Sequence, residues 1–334
     1  MGNPSIAPEG EQGAKPLVGF LGMATGIFEF LGRTGRARPV EIAGGLGLDL
    51  GYVGAFCEAG FAFGYLEEEG GCFSLAGEID RASFLATAIE AVFAPSVTLR
   101  LLPLFRTGHR PGPGALIDPE IRPWFGEFLE GKHRSLFEEA IFPGLPLLGE
   151  LAERDGLILD LGCGNGWLLR CLLSRFPRWR GIGIDREASR IAQGRAAARS
   201  AGLSDRLELI EGDLLSWHGR EAADLVVVSR VLHHLWPERE GFFAHLDRIV
   251  RRDGTLFLWE PCWPQRLESL REPSRRNLAF QNLHEYAQGA RLLSSEELVR
   301  GVEEAGWKTS TRWFAGGAEM VVLGKRKEAG WGAG

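Results

Sequence analysis

The C-terminal half of the chain alternates short apolar runs with stretches that have helical spacing. The apolar runs predict buried strands over residues 157–159, 181–184, 207–210 and 225–228. After the first run, residues 167–173 space their apolar side chains as an amphipathic helix does. Strands and helices that alternate in this way are typical of an α/β protein with a parallel sheet.

The N-terminal half follows a different pattern, three helices and then a hairpin. Apolar spacing predicts a helix up to Leu31, a second helix that begins at Pro39, and a third that Asp49 caps. Residues 65–75 then read as two short strands around a glycine turn. This order of elements is typical of a winged-helix domain. Residues 1–16 lack hydrophobic periodicity, so they predict a disordered tail.

The segment LDLGCGNG, residues 159–166, joins the first predicted strand to its helix. Gly162, Gly164 and Gly166 allow the backbone to turn tightly and to approach a ligand, and the helix N-terminus presents free N–H groups. A glycine turn alone is weak evidence for a nucleotide-like cofactor. In this chain, however, Asp185 ends the second strand about 20 residues further on, where a doubly wound fold places an acid that faces a ribose diol.

These residues resemble the class I S-adenosylmethionine-dependent methyltransferases over about residues 157–326. LDLGCGNG is similar to the first motif of that family, Asp185 to its ribose-binding acid, and Gly212-Asp213-Leu214 to its adenine-side segment. The turn reads G-C-G-N-G rather than the G-x-G-x-x-G of dinucleotide-binding proteins, which favours a methyl donor over NAD. The resemblance implies a Rossmann-like sheet of seven strands in the order 3-2-1-4-5-7-6, with two last strands over 308–314 and 320–323. The residues that we expect to bind S-adenosylmethionine are Asp160, Gly162, Gly164, Gly166, Asp185, Asp213, Leu214, Ser229 and Arg230.

Histidines follow the fourth predicted strand, at the sheet edge where such folds bind their ligands. Methyl transfer requires an acceptor lone pair in line with the sulfonium, and a hydroxyl acceptor must also lose a proton. Histidine suits that proton transfer because its unperturbed pKa is about 6.5. His233 aligns with the catalytic histidine in the L-H-D-W segment of many O-methyltransferases, and His234 stands where those enzymes often have Asp. His284 lies where the resemblance implies substrate loops, so we predict all three as catalytic candidates. The alternative for one of the pair is a capping or packing role.

The same histidines have an alternative interpretation as metal ligands. His233 or His234 could bind a metal together with His284 and Glu285, because acidic partners often accompany histidine ligands. The region is also similar to a small branch of methyltransferases that act on 2-keto acids, in which two histidines hold iron for C-methylation. Two histidines far apart in sequence are not a specific motif. The metal therefore stays unassigned, and a metal-free site is favoured.

Charge distinguishes two uses of the predicted winged helix. Between Lys15 and Leu85 the chain has five basic and nine acidic residues, and the third helix carries Glu58 but no Lys or Arg. An acidic helix and a wing tip of three Glu residues repel phosphate. In small-molecule O-methyltransferases a similar domain serves for dimerisation, so the resemblance implies a homodimer. The competing hypothesis from another class is a cofactor-sensing regulator that binds DNA.

The chain of 334 residues exceeds the usual size of one domain, so two domains are expected. We predict a tail over 1–16, a winged-helix dimerisation domain over 17–93, a helical linker and substrate cover over 94–150, and the cofactor-binding catalytic domain over 151–327. Several side chains of the cover could line a substrate pocket, although core packing is the commoner role for such residues. They are Trp124, Phe125, Phe128, His133 and Phe137.

The whole-chain composition narrows the expected partners and location. The formal net charge of -6 opposes unspecific attraction to nucleic acid or an anionic membrane. The chain has neither a signal-peptide pattern nor an apolar run that approaches the roughly 20 residues of a spanning helix. Its five cysteines are scattered and form no C-x-x-C pair, so free thiols are expected. We predict a cytoplasmic enzyme whose partners are a small-molecule acceptor and a second copy of itself.

Overall fold

The protein is described by a computed structural model over residues 11–78, 81–215, 217–219 and 222–327. Its internal contacts divide the chain into two units. The first comprises Met1–Leu99 with Ile117–Gly131, and the second comprises Arg100–Leu116 with Lys132–Gly334. The region over 94–150, which the sequence predicts as one cover segment, is therefore shared between the two units.

The N-terminal part of the chain consists mainly of helices, with short strands between them. In chain order its elements are α1 (Glu11–Ala24), α2 (Ile27–Thr34), β1 (Arg36–Ala37), α3 (Pro39–Leu46), α4 (Leu50–Ala62), β2 (Leu66–Glu69), β3 (Cys72–Leu75), α5 (Arg81–Leu101), α6 (Leu104–Thr107) and α7 (Phe125–Leu136). A π-helical turn at Phe137–Ile141 continues α7.

The elements of the C-terminal part begin after that turn. They are α8 (Pro146–Ala152), β4 (Gly156–Leu161), α9 (Trp167–Arg175), β5 (Trp179–Asp185), α10 (Ala188–Ser200), β6 (Leu207–Glu211), β7 (Ala223–Ser229), α11 (Leu232–Leu235), α12 (Arg239–Ile249), β8 (Val250–Trp263), α13 (Arg276–Ala287), β9 (Leu293–Ser294), α14 (Ser295–Glu304), β10 (Trp307–Phe314) and β11 (Glu319–Arg326).

The first unit has the winged-helix arrangement that the sequence predicts. The helices α2, α3 and α4 precede the antiparallel hairpin of β2 and β3, and β1 extends this hairpin into a sheet of order β1-β3-β2. Asp49 caps α4, because its Oδ1 accepts the N–H of Tyr52 at 3.0 Å. Apolar side chains of the helices and of β2 form the core. They include Ile27, Leu31, Ile42, Cys57 and Leu66.

The first helix corrects the predicted tail. α1 begins at Glu11 and contains Pro16, so the prediction of disorder is wrong for residues 11–16. Residues 1–10 of that tail lie outside the described residues. The helix forms because α1 packs against α2 and α4 and contributes Met23 to the core. Tertiary packing of this kind overrides a weak local pattern.

The aromatic residues of the predicted cover are distributed between the two units. Trp124, Phe125 and Phe128 pack against the core of the first unit. His133 and Phe137 belong to the second unit, where both rings contact Trp259. Three of the five residues considered for a substrate pocket therefore pack in or against the core of the winged-helix unit.

One helical segment, Thr87–Thr107, is long and apolar enough to cross a membrane by length and composition alone. The sequence pattern does not reveal it, because Glu90, Arg100 and Arg106 interrupt its apolar run. About 22% of its apolar window is buried. Leu99 and Phe105 are 72% and 73% exposed, so the segment presents an apolar surface.

The second unit contains a sheet in the order β10-β11-β8-β7-β4-β5-β6, with β9 paired to the end of β8. Without the short β9, the seven strands read from β6 stand in the chain order 3-2-1-4-5-7-6, which confirms the predicted topology. The strands β4 to β8 are parallel to one another, whereas β11 is antiparallel to both β8 and β10.

Alternate residues of each strand face opposite sides of this sheet, and helices cover both sides. Ile158 belongs to the apolar cluster that contains α9 residues such as Leu169. Its neighbour Leu159 belongs to the cluster that contains Phe242 of α12 and Leu298 of α14. This burial on both faces explains why the strands read as continuous apolar runs in the sequence.

Strand direction decides which residues meet at one edge of the sheet. The carboxyl ends of the parallel strands lie together there, so the glycine turn, Asp185 and the residues after Ser229 become neighbours. Because β11 runs the other way, its first residue, Glu319, reaches the same edge, where it pairs with Pro261 of β8.

Candidate active site

The glycine turn after β4 is attached to the end of β5. The N–H groups of Gly162 and Cys163 donate to the carbonyl of Ile184 at 2.8 and 3.0 Å. The N–H of Gly164 donates to Oδ2 of Asp185 at 2.8 Å, and Oδ1 of Asp185 accepts the N–H of Glu187 at 2.9 Å. Asp185 therefore holds the turn in place and still has free lone pairs on both oxygens.

The three glycines of the turn have left-handed φ angles of 79°, 58° and 67°. A side chain at Gly162 would strike Val231, and one at Gly166 would strike Leu209. A Cβ added at Gly164 would meet no atom within 4 Å. The middle glycine thus borders open space, which a ligand can fill only while no side chain is present.

Asp160, the acid before the turn, is buried and 2% exposed. Its Oδ1 has no hydrogen-bond partner among the described residues. Burial, with the nearby charge of Asp185, raises the pKa of Asp160 to about 8. A buried carboxylate oxygen without a donor is unfavourable, so a cationic ligand or an N–H donor suits this position. S-adenosylmethionine carries both an ammonium and a sulfonium group.

Two further predicted cofactor residues lie at the same edge. The N–H of Gly212 donates to the carbonyl of Asp185 at 3.0 Å, which brings Asp213 and Leu214 next to the end of β5. Oδ1 of Asp213 accepts the N–H of Leu215 at 2.9 Å. The structure therefore brings the glycine turn, Asp160, Asp185 and the Asp213 segment together.

Arg230, which follows Ser229 at the end of β7, has a left-handed φ of 57°. A non-glycine residue in this conformation costs about 1 to 3 kcal/mol and is typical of functional sites. Its Nη1 donates to both carboxylate oxygens of Glu319 at 2.7 and 2.8 Å, and its Nη2 donates to Gln281 at 3.0 Å. Nε1 of Trp259 also donates to Glu319, at 2.8 Å. Arg230 thus belongs to a network with the opposite strand β11.

His233, at the start of α11, forms a buried pair with Glu260 of β8. Its Nδ1 donates to Oε2 of Glu260 at 2.6 Å, and the two side chains are 2% and 1% exposed. The other oxygen of Glu260 accepts the N–H groups of Val231 and Leu232 at 2.9 and 2.7 Å. One carboxylate therefore fixes the loop and the orientation of the imidazole, and it leaves Nε2 as the nitrogen that can gain or lose a proton.

Glu285 of α13 faces both neighbouring histidines. Its Oε2 lies 3.6 Å from Nε2 of His233 and 3.5 Å from Nε2 of His234. Gln288 donates to Oε2 at 2.9 Å, and Gln281 donates to Oε1 at 3.5 Å. The bond from Gln288 holds the carboxylate in this position.

The pKa values of these groups follow from burial and from the two carboxylates. Burial disfavours the charged form of His233, but Glu260 and Glu285 outweigh it and raise its pKa to about 9. Burial and the charge of His233 lower the pKa of His234 to about 4. Burial opposes ionisation of Glu285, but the histidines lower its pKa to about 2. Neighbouring histidines therefore differ: His233 is a strong base and His234 is neutral.

His284 does not belong to the group that faces Glu285. The ligand-type atoms of His233, His234 and Glu285 lie within 4.8 Å of one another, and in the described part of the chain they form a cluster that could hold a metal ion. His284 is buried, and burial lowers its pKa although Glu285 opposes the shift. The structure thus places Glu285, rather than His284, beside the histidine pair.

Sequence reasoning missed Glu260 and Glu319 as site residues. Glu260 lies near the carboxyl end of the fifth strand, so the rule that pointed to His233 applies to it as well. Glu319 begins an antiparallel strand, and the sequence around it does not indicate a site residue.

Comparison with known proteins supports the interpretation of this edge. Residues 158–254 match the family model of a methyltransferase domain. Sterol 24-C-methyltransferase of Saccharomyces cerevisiae is 26% identical over 130 residues, which are 39% of this chain and 33% of that protein. Trans-aconitate 2-methyltransferase of an Acidovorax species is 32% identical over 148 residues, 42% of this chain and 52% of that protein. The chain spans only about a third to a half of the length of these curated relatives.

Solved structures share the fold over nearly the whole chain. An O-methyltransferase family protein from Burkholderia thailandensis has a TM-score of 0.63 at 19% identity. The alignment covers 95% of this chain and 96% of that chain. Human N-acetylserotonin methyltransferase, solved with S-adenosylmethionine, has a TM-score of 0.64 at 15% identity. The alignment covers 98% of this chain and 99% of that chain. Identities this low establish the fold alone.

The matched segment is therefore a methyltransferase domain, and the sheet has the strand order that the resemblance to the class I S-adenosylmethionine-dependent methyltransferases implies. In this chain that domain follows the N-terminal winged-helix unit, and the solved structures share the fold over nearly the whole chain.

Proposed function

We propose that the protein transfers the methyl group of S-adenosylmethionine to a hydroxyl oxygen of a small-molecule acceptor. The observation that carries this proposal is the His233–Glu260 pair, 2.6 Å apart, on the same sheet edge as the glycine turn. Methyl transfer to a hydroxyl needs a positioned base beside the donor, and this pair supplies one.

The donor side of the proposal rests on the turn and on two acids. The open space at Gly164 can accept a ligand, and the N–H groups at the start of α9 favour a polar one. Asp185 has lone pairs for the ribose hydroxyls, and Asp160 offers an unpartnered oxygen for a cationic group. The bound donor supplies an electrophilic methyl group, and these residues bind and orient it.

The acceptor side rests on how Glu260 acts through His233. Because the carboxylate accepts the Nδ1 proton, Nε2 is the nitrogen that can take a proton from the acceptor. Glu260 and Glu285 both stabilise the imidazolium that this transfer produces. The pKa of His233, about 9, is close to the value of about 10 for a phenolic hydroxyl, so proton transfer between them is nearly balanced. This match favours a phenol or an enol over an aliphatic alcohol.

We further propose that the protein is a homodimer with a cytoplasmic location, as the sequence predicts. The exposed apolar residues of the segment Thr87–Thr107 support association, because exposed patches of this kind mark interaction surfaces. The DNA-binding alternative gains no support from the wing, where Arg36 is paired with Glu69 at 2.9 Å. The 2-keto acid alternative relied on His284, which lies outside the histidine and glutamate cluster.

The proposal is tested with isotope-labelled donor and a panel of phenols, hydroxyquinones, amines and 2-keto acids. We expect label in a phenolic or enolic compound and, in the isolated product, the new methyl group on oxygen. Methylation confined to nitrogen or carbon would contradict the hydroxyl acceptor. Salt-sensitive, sequence-selective retention of DNA without any methylated product would favour the regulator.

The pH dependence of turnover gives a second test. In buffer with a chelator, kcat/KM should rise with pH and level off above about pH 9, because His233 must lose its proton before it accepts one. In Glu285→Gln, one of the carboxylates that raise the pKa of His233 is replaced by a neutral amide. The increase of kcat/KM with pH should therefore occur about one pH unit lower. The measurement is a pH profile of labelled methyl transfer for both proteins.

The matched control for this profile is Glu296→Gln, which neutralises an exposed acid that pairs with Gln265. Its profile should follow that of the unmodified protein. A rise centred near pH 6.5, or identical profiles for Glu285→Gln and the unmodified protein, would refute the assignment of the base.

A further inference from the structure

We propose that His233, His234 and Glu285 bind a first-row divalent transition-metal ion, and that the bound ion inhibits methyl transfer by occupying the lone pair on Nε2 of His233. The inhibitory part rests on the proposed function, in which that lone pair accepts the proton of the acceptor. The binding part depends only on the three side chains.

The spacing of the three side chains fits a shared ion better than it fits hydrogen bonds. Nε2 of His233 and Nε2 of His234 lie 3.6 and 3.5 Å from the same oxygen of Glu285. An N–H···O hydrogen bond would bring these atoms to about 2.9 Å. Two ligands at about 2.1 Å from one metal ion stand roughly 3.0 to 3.5 Å apart, which is close to the observed spacing.

Neighbouring residues hold the proposed metal ligands in place before an ion binds. His233 is 2% exposed, and its Nε2 faces Oε2 of Glu285 at 3.6 Å. Glu260 holds Nδ1 of the same ring, the arrangement by which carboxylates orient metal-binding histidines. Gln288 holds Glu285 through a hydrogen bond of 2.9 Å, so two of the three ligands are fixed before an ion arrives.

The donor set selects the class of ion. Two imidazole nitrogens and one carboxylate suit Zn²⁺, Co²⁺, Ni²⁺ or Fe²⁺. Mg²⁺ and Ca²⁺ prefer oxygen ligands, so they should not compete. Glu285 also carries the one carboxylate charge of the cluster, which a divalent cation compensates.

The consequence for catalysis follows from the shared atom. A nitrogen that donates its lone pair to a metal ion cannot accept a proton at the same time. Turnover should therefore fall as the ion binds and return when a chelator removes it. The predicted effect is reversible inhibition by a divalent transition-metal ion, with no inhibition by Mg²⁺.

Binding is tested on the full chain after chelator treatment, with Co²⁺ followed by its visible absorption and Zn²⁺ by calorimetry. We expect one ion per chain, and an affinity that is lower by about 10-fold or more in Glu285→Gln and in His234→Gln. Glu260→Gln should weaken binding by about 10- to 100-fold, because it removes the group that orients His233. His109→Gln replaces an exposed histidine outside the site and should bind as the unmodified protein does.

Thermal melting checks that each variant is folded. Glu285→Gln and His234→Gln each remove one proposed metal ligand, so they test the site independently. Absence of stoichiometric binding, or equal binding by both variants and the unmodified protein, would overturn the site. Metal binding without any effect on turnover would overturn the inhibitory part. Metal binding by a protein that methylates no acceptor would support the site and refute the proposed function, so the two failures are distinguishable.

Discussion

His233→Gln should lower kcat by about 100-fold or more, because it removes the positioned base that accepts the acceptor's proton. The affinity for the donor should change little, since Asp160, Gly164 and Asp185 are untouched. Single-turnover transfer of labelled methyl measures the first quantity, and calorimetry with S-adenosylmethionine measures the second.

The matched control is His284→Gln, which replaces another buried histidine by the same side chain. His284 lies outside the cluster of His233, His234 and Glu285. The kcat of His284→Gln should therefore fall by no more than about threefold, which is much less than the loss of a general base would cause. The kcat of Glu260→Gln should lie between the values of these two variants, since the imidazole stays in place without its carboxylate partner. If His233→Gln turns over at the unmodified rate, His233 is a structural residue.

Gly164→Ala is expected to weaken donor binding by about 10-fold or more, which corresponds to about 1.4 kcal/mol. The added methyl group extends into the open space in front of the turn, where the donor is proposed to lie. The left-handed φ of 58° also strains an alanine, at a cost of about 1 to 2 kcal/mol in folding stability. Donor affinity is measured by calorimetry and stability by chemical denaturation.

Gly202→Ala separates these two effects. Gly202 follows α10, has a φ of 67° and, like Gly164, would place a Cβ in open space. Both variants should therefore lose similar stability, whereas only Gly164→Ala should lose donor affinity. Equal donor affinities in the two variants would contradict the assignment of the cofactor site to this turn.

The parts of the site whose arrangement can be predicted from the sequence are those encoded by consecutive residues. A parallel strand, a glycine turn and a helix occur in one short stretch, so Gly162, Gly164 and Gly166 are recognisable, and the family resemblance implies the strand order. The link between Gly164 and Asp185 follows from the same regularity, because adjacent parallel strands end at the same edge.

The parts that the sequence does not predict depend on rotation and direction. His284 and Glu285 are neighbours on α13, and one step along a helix turns the side chain by about 100°, so spacing alone cannot say which of them faces His233. Glu319 reaches the site because β11 reverses direction, and it pairs there with Arg230, whose backbone has a left-handed φ. The perturbed pKa values arise only when these distant groups come together.

The reversal of β11 also limits how this protein can be modified. Glu319 accepts hydrogen bonds from Arg230 and Trp259, so the last strand of the sheet supplies the counter-charge for Arg230 at the carboxyl ends of the parallel strands. Removing or re-threading that strand would leave a largely buried guanidinium without a carboxylate, in addition to exposing the edge of the sheet. Tags and fusion partners should therefore be joined beyond Arg326, where the strand has already completed its pairing.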